Sequence, residues 1–191
     1  PFDKFKSADR RITTQMKATG EVMALDRTFA AALMKAVRSL EIGAHSLRWK
    51  HASSWSEMEL ENRLTVATDE RLFAVAEGFR RGMSVAEIAG LAYYDPWFLE
   101  RIQAIVGMEA TLTEAGDNWV VHLSDAKELG FPDRTIAELV GTTETAVRAV
   151  RRGAGVVPAY KIVDTCAAEF EAVTPYFYSC FDREDEARPV E

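Results

Sequence analysis

"SVAEIAGLAYYDPWFLERIQAI", residues 84–105, carries the signals that decide the fold class. Ser84 with Glu87 fits a capping box, in which the hydroxyl accepts from the backbone three residues on and the carboxylate reaches back. Asp95-Pro96 follows, an N-cap residue with proline in the first helical position, where the missing N–H costs nothing. Phe98, Ile102 and Ile105 then recur on one helical face. Two helices joined by a tight turn is the reading.

The same pattern extends outward. "RTIAELVG" at Arg134 echoes "SVAEIAGL" at Ser84, so two helix-turn-helix units are expected. Ser54 with Glu57 fits a further capping box. Thr68 precedes Asp69 and Glu70, whose charges suit the positive end of a helix. Leu72, Ala76 and Phe79 share a face, and Gly82, Gly130 and Gly141 sit where helices should end. Six or seven short helices are expected between Ser54 and Arg152.

Toward the amino terminus the signals weaken. Residues 1–27 lack a helical period, apart from a possible strand at "EVMAL", residues 21–25. Thr28 looks like an N-cap for an amphipathic helix carrying Phe29, Leu33, Val37 and Leu40, which Gly43 stops. "AHSLRWKHASS", residues 44–54, is polar and breaker-rich and reads as a linker. At the other end "VVPAYKIVDT" reads as extended, "CAAEFEA" as one or two helical turns and "PYFYSCF" as extended again. The acidic last ten residues read as frayed or as a linker.

Composition narrows the function classes. The 191 residues are 48% hydrophobic and 28% charged, as in a globular protein. No apolar run is long enough to span a membrane, and "PFDKFKSADRR" has no signal-peptide core, so a cytoplasmic location is expected. Two cysteines, Cys166 and Cys180, make neither a disulfide framework nor a zinc spacing. His45, His51 and His122 are scattered, which gives no metal site. The net charge of −7 is uneven, with ten Lys/Arg against five Asp/Glu in residues 1–50 and thirteen against twenty-five in the rest. The N-terminal stretch is compositionally distinct.

Motifs for chemistry are few. There is no GxxxxGK[ST] and no GxGxxG to cradle phosphates. Cys166 in "VDTCAAEF" invites a nucleophile reading, but a buried structural thiol is favoured for a free cysteine. Arg148, Arg151 and Arg152 on the second helix of the Thr135 unit could meet phosphates or guanine edges, which suggests a nucleic-acid-binding regulator. The acidic surroundings weigh against that reading, because phosphate binding needs a basic field.

Four stretches together carry a family resemblance: "PFDKF", "ITTQMKATGEVMALDRTFAAALMKAVRSLEIG", "TDERLFAVAEGFRRGMSVAEIAGLAYYDPWFLERIQAIVGME" and "KELGFPDRTIAELVGTTETAVRAVRRGAGVVPAYKIVDTCAAEFEAVTPYFYS". The chain resembles the middle of the large subunit of carbamoyl phosphate synthetase over nearly its whole length. The family usually has glycine where Asp26 stands, at a turn position that likes positive φ.

The resemblance implies a mainly α bundle of the oligomerisation-domain type, with a small extended segment near each end. It places residues 1–43 at the end of the first ATP-grasp half, 44–155 in the helical oligomerisation domain and 156–191 on the way to the second half. It further implies a parent that makes carbamoyl phosphate from bicarbonate, glutamine-derived ammonia and two ATP. ATP and Mg²⁺ or Mn²⁺ are bound by other parts of that parent, leaving no catalytic, cofactor or metal residues here. Implied partners are the rest of the large subunit, a glutaminase small subunit and other copies through the helical domain, with no nucleic acid and no membrane. Met16 and Glu21 match a segment beside the family's carbamate tunnel.

Large aromatics at Trp49, Trp55, Trp97, Trp119 and the Tyr93-Tyr94 pair lie in or beside turns, where full burial within one chain is hard. They are expected to support self-association.

Overall fold

The computed structural model describes residues 7–17, 22–167, 169–170 and 176–187. Eight α-helices and one two-stranded antiparallel sheet are present among them. The helices are α1 Phe29–Ser39, α2 Glu57–Thr65, α3 Arg71–Arg80, α4 Val85–Ala92, α5 Pro96–Glu114, α6 Leu123–Glu128, α7 Asp133–Val140 and α8 Glu144–Gly153. The strands are β1 Ala159–Val163 and β2 Tyr176–Cys180, paired so that Ala159 faces Cys180 and Val163 faces Tyr176.

Local chemistry accounts for the helix starts. Thr28 accepts from the Ala31 N–H at 3.2 Å to open α1, and Ser84 with Glu87 closes a complete capping box on α4. Asp95 accepts from the Trp97 N–H at 2.8 Å, with Pro96 opening α5. The box expected at Ser54 lies two residues later, at Ser56 and Glu59. Both Ser-x-x-Glu spacings fit the sequence, and the later one opens the helix that buries Leu60 and Leu64. Tertiary packing selects between two equally capped starts.

The helices are not uniformly short. α5 has 19 residues and buries Leu99, Ile102, Ile105, Val106 and Leu112, so it is the spine against which α1, α3, α4 and α7 pack. Phe98, placed on that face by its spacing, is 44% exposed and instead meets Phe29 edge-on at 5.1 Å. One continuous core holds these helices together, and it includes Ala30, Met34 and Val37 of α1.

Residues 44–54 are not a linker. Ala44, Ser46, Leu47 and Ala52 are buried, and Trp49 stacks on Phe73 with ring centres 4.7 Å apart. Two carbonyls of this irregular stretch are taken by arginines at the end of α3. Arg80 donates to the Leu47 carbonyl at 3.1 Å, and Arg81 donates to the Ala52 carbonyl at 2.9 Å. Those arginines are in turn fixed by buried carboxylates: Glu109 takes two bonds from Arg80, at 2.7 and 3.0 Å, and Glu77 accepts from Arg81 at 2.9 Å. Breaker-rich sequence here marks irregular backbone inside the core.

Other departures are local. Residues 22–25 form no strand, and Glu21 lies outside the described residues. Asp26 does not take positive φ; its carboxylate pairs with Lys35 at 2.9 Å and accepts the Arg27 N–H. Of the aromatics expected to need a partner, Trp55 is buried under the Arg63 guanidinium, and Trp49, Trp119 and Tyr94 pack on the core. Tyr93, at 85% exposure, and Trp97, at 47%, remain outward.

Candidate functional site

The features that relate this bundle to its flanking segments converge on one junction. Lys35 of α1 donates to the carbonyls of Leu25 and Ser179, at 2.5 and 2.6 Å, which ties the entering chain to β2. Arg38, one turn on, donates to the Gly130 carbonyl at 2.7 Å in the α6–α7 turn. Gly130 itself comes so close to α1 that a Cβ there would stand 2.9 Å from the Ala31 Cα.

Beneath that turn lies a buried charge cluster. Lys127 of α6 donates to Asp133 at 2.8 Å and to the Phe131 carbonyl at 2.7 Å. Arg151 of α8 grips the same Asp133 through Nε and Nη2, and it donates to the Val156 carbonyl at 2.8 Å as the chain leaves the bundle. Burial alone would raise the Asp133 carboxyl, but the bonds from Arg151 and Lys127 outweigh it and hold the group below its ordinary range. Burial pushes the Lys127 ammonium down further than its bonds to Asp133 lift it. Phe181, just after β2, lies against both cations, 4.6 Å from the Lys127 ammonium and 5.5 Å from the Arg151 guanidinium. Three segments far apart in sequence are thereby fixed to one another.

The acidic residues 182–187 are also fixed. Glu186 donates its backbone N–H to the Tyr160 carbonyl at 2.8 Å, and its carboxylate accepts from Ile162 at 2.8 Å. Lys161 is buried beneath Asp182, Glu184 and Glu186, at 3.7, 3.6 and 3.3 Å. Burial alone would lower the Lys161 ammonium, but Glu186 and its acidic neighbours lift it above its ordinary value. Residues 182–187, expected to fray or to serve as a linker, cover the edge of β1 instead. At the opposite end Arg10 bonds Asp69 at 2.9 Å, and Ile12 donates to the Ala67 carbonyl at 2.7 Å.

The residues singled out by sequence are scattered relative to this junction. Met16 is 92% exposed, far from burial in this chain. Cys166 is half-exposed, and Cys180 is the buried thiol, pushed up by burial and by the charges of Asp26 and Asp182. Of the three arginines on α8, Arg151 is engaged at the junction and Arg148 pairs with Glu144 at 3.0 Å, while Arg152 is exposed. The helix-turn-helix is a packing unit whose central arginine points inward. Arg38, Lys127 and Asp133 belong to no sequence motif, because their partners lie on other elements. Among the described residues no group of three or more His, Cys, Asp or Glu could hold a metal ion, and no helix is long and apolar enough to cross a membrane.

The fold and its junction define a helical module with extended segments locked onto it at both ends. Residues 21–155 match the family described as "Carbamoyl-phosphate synthetase large chain, oligomerisation domain". The chain belongs to that family. It is 50% identical, over its whole length, to the carbamoyl phosphate synthase large chain of Thermomicrobium roseum, of which it covers 18%. It is 49% identical over 99% of its length to the protein of that name from Methanothrix thermoacetophila, covering 17% of it. The corresponding protein of Caldanaerobacter subterraneus is 48% identical over 97% of the chain, again with 17% of the relative covered. The chain spans less than a fifth of these relatives.

Proposed function

We propose that this segment serves self-association and interdomain connection within a glutamine-dependent carbamoyl phosphate synthetase. The parent would make carbamoyl phosphate from bicarbonate, glutamine-derived ammonia and two ATP, for arginine and pyrimidine synthesis in the cytoplasm. ATP and Mg²⁺ or Mn²⁺ would be held by the ATP-grasp halves outside this chain, and ammonia would come from a glutaminase small subunit. In this reading residues 1–43 close the first half, 44–155 form the oligomerisation domain and 156–191 lead to the second half.

The observation that carries the proposal is the junction. Chain entering at Leu25 and chain leaving at Val156 and Ser179 are held by Lys35 of α1 and Arg151 of α8. A connector built this way fixes the relative placement of the two flanking halves, as a flexible linker would not. Similarity to relatives named carbamoyl phosphate synthase large chain supports the chemistry in this reading.

Met16 and Glu21 are proposed to line the carbamate path of that parent. The outward Met16 side chain supports this, since another part of the parent would have to cover it. Substituting Glu21→Gln in the full enzyme should then leave bicarbonate-dependent ATP hydrolysis within about twofold, while carbamoyl phosphate output falls on the order of tenfold. Parallel loss of both activities, or of neither, would exclude a tunnel role.

A further inference from the structure

A cavity of ≈ 270 Å³ opens at the junction, between α1, the α6–α7 turn, the start of α8 and the end of β2. Its charge contrasts with that of the chain. The protein carries −7 overall, yet Lys35, Arg38, Lys127 and Arg148 all line this one cavity. Three carboxylates face them, and each is already engaged. Asp26 pairs with Lys35 at 2.9 Å, and Glu144 with Arg148 at 3.0 Å. Asp133 serves Lys127 at 2.8 Å and Arg151 at 3.0 Å, with Arg148 also 3.8 Å away. Four cations thus line the cavity against three carboxylates, an excess of one positive charge, with Arg151 behind Asp133 drawing further on that carboxylate.

Arg38 is where that excess is felt. Its bond is to an uncharged acceptor, the Gly130 carbonyl at 2.7 Å. A guanidinium presents five N–H donors in a planar fork, so most of this one is left to the cavity. Partial burial disfavours the charged form of Arg38, with only the more distant Asp26 opposing it. A half-buried guanidinium with no carboxylate beside it gains when an anion completes it. The neighbouring cations are held rigidly: Lys127 by Asp133 and the Phe131 carbonyl, Lys35 by two carbonyls and Asp26. Arg148, with 56% of its side chain exposed, stands at the mouth and can swing toward a ligand.

We propose that this cavity is a binding site for a small anion, a phosphate or carboxylate group seated on the Arg38 fork with Arg148 closing over it. Planar bidentate pairing is the geometry by which arginine selects both groups. The volume admits such a group with a few attached atoms. Because α1, the α6–α7 turn and β2 all contribute to the wall, an occupant would tighten the contact between the bundle and both flanking segments.

The test uses the 191-residue chain itself at fixed ionic strength, so that it is independent of any enzymatic reading. Thermal unfolding is followed while inorganic phosphate, and separately acetate, replaces chloride. At about tenfold excess over Kd, either anion should raise Tm by about 2–5 °C, and the rise should saturate. Arg38→Gln should weaken the affinity about tenfold or more. Arg148→Gln, a surface change that leaves the fold intact, should weaken it by a smaller factor. The anion that saturates at the lower concentration identifies the group recognised. Absence of a saturable response to both anions would overturn the proposal, as would a response that both variants retain in full.

Discussion

Arg80→Ala should cost the fold about 3–5 kcal/mol, one of the two largest losses expected from a single change. The arginine bridges Glu109 and Glu77, whose side chains are 5% and 8% exposed, and it donates to the Leu47 carbonyl. Removing it leaves a buried carboxylate at Glu109 without its bidentate partner and a buried carbonyl without its donor. Lysine should restore little, because one ammonium cannot reproduce the fork that meets Glu109 at both oxygens. Urea unfolding measures the loss directly. Arg101→Ala is the matched control. Its partner Glu100 is 55% exposed, so that change should cost under about 1 kcal/mol. Equal losses in the two variants would mean that the buried network does not hold residues 44–54 to the bundle.

Gly130→Ala should lower Tm by about 5–15 °C, from two costs that can be separated. The backbone stands at φ +88°, which a Cβ disfavours by about 1–2 kcal/mol. That Cβ would also meet the Ala31 Cα at 2.9 Å and the Met34 Cβ at 3.0 Å, and neither is the end of a flexible chain. Forcing α1 away from the α6–α7 turn adds about 1–3 kcal/mol. Gly82→Ala isolates the first cost: Gly82 has φ +84°, but a methyl group placed there would meet nothing within 4 Å. The Gly82 variant should therefore lose only about 1–2 kcal/mol. Equal losses at the two glycines would show that α1 is not seated as tightly as the geometry requires.

Much of the bundle is legible in the sequence because helix ends are written locally. Thr28, Ser84 and Asp95 cap within three residues of themselves, and their helices start where the sequence places them. Where two local solutions compete, at Ser54 and Ser56, the burial of Leu60 and Leu64 decides, and that lies outside any capping pattern. The two extended stretches flanking "CAAEFEA" show in the sequence, but their pairing with each other does not.

The junction leaves no such trace. Arg38 bonds a carbonyl 92 residues away, and Lys35 one 144 residues away, separations that no periodic pattern records. Residues 44–54 mislead for a related reason. Two of their carbonyls are taken by Arg80 and Arg81, which on their own helix look like ordinary surface charge. Cys166, expected to be a buried thiol, is half-exposed while Cys180 is buried, because burial depends on the seating of the hairpin. Ala159, Lys161 and Cys180 share its inner face.

The central claim is that this segment assembles and connects, and self-association tests it most directly. Tyr93 stays outward beside the α4–α5 turn, and Trp97, although it meets Phe29 and Phe98 edge-on, keeps 47% of its surface exposed, whereas most of the other large aromatics pack on the core. Sedimentation equilibrium on the 191-residue chain, across a concentration series, should give a weight-average mass that climbs from the monomer value of 21.3 kDa toward an integral multiple. A mass that stays at 21.3 kDa at every concentration would contradict the assembly role and leave the segment as a rigid spacer alone.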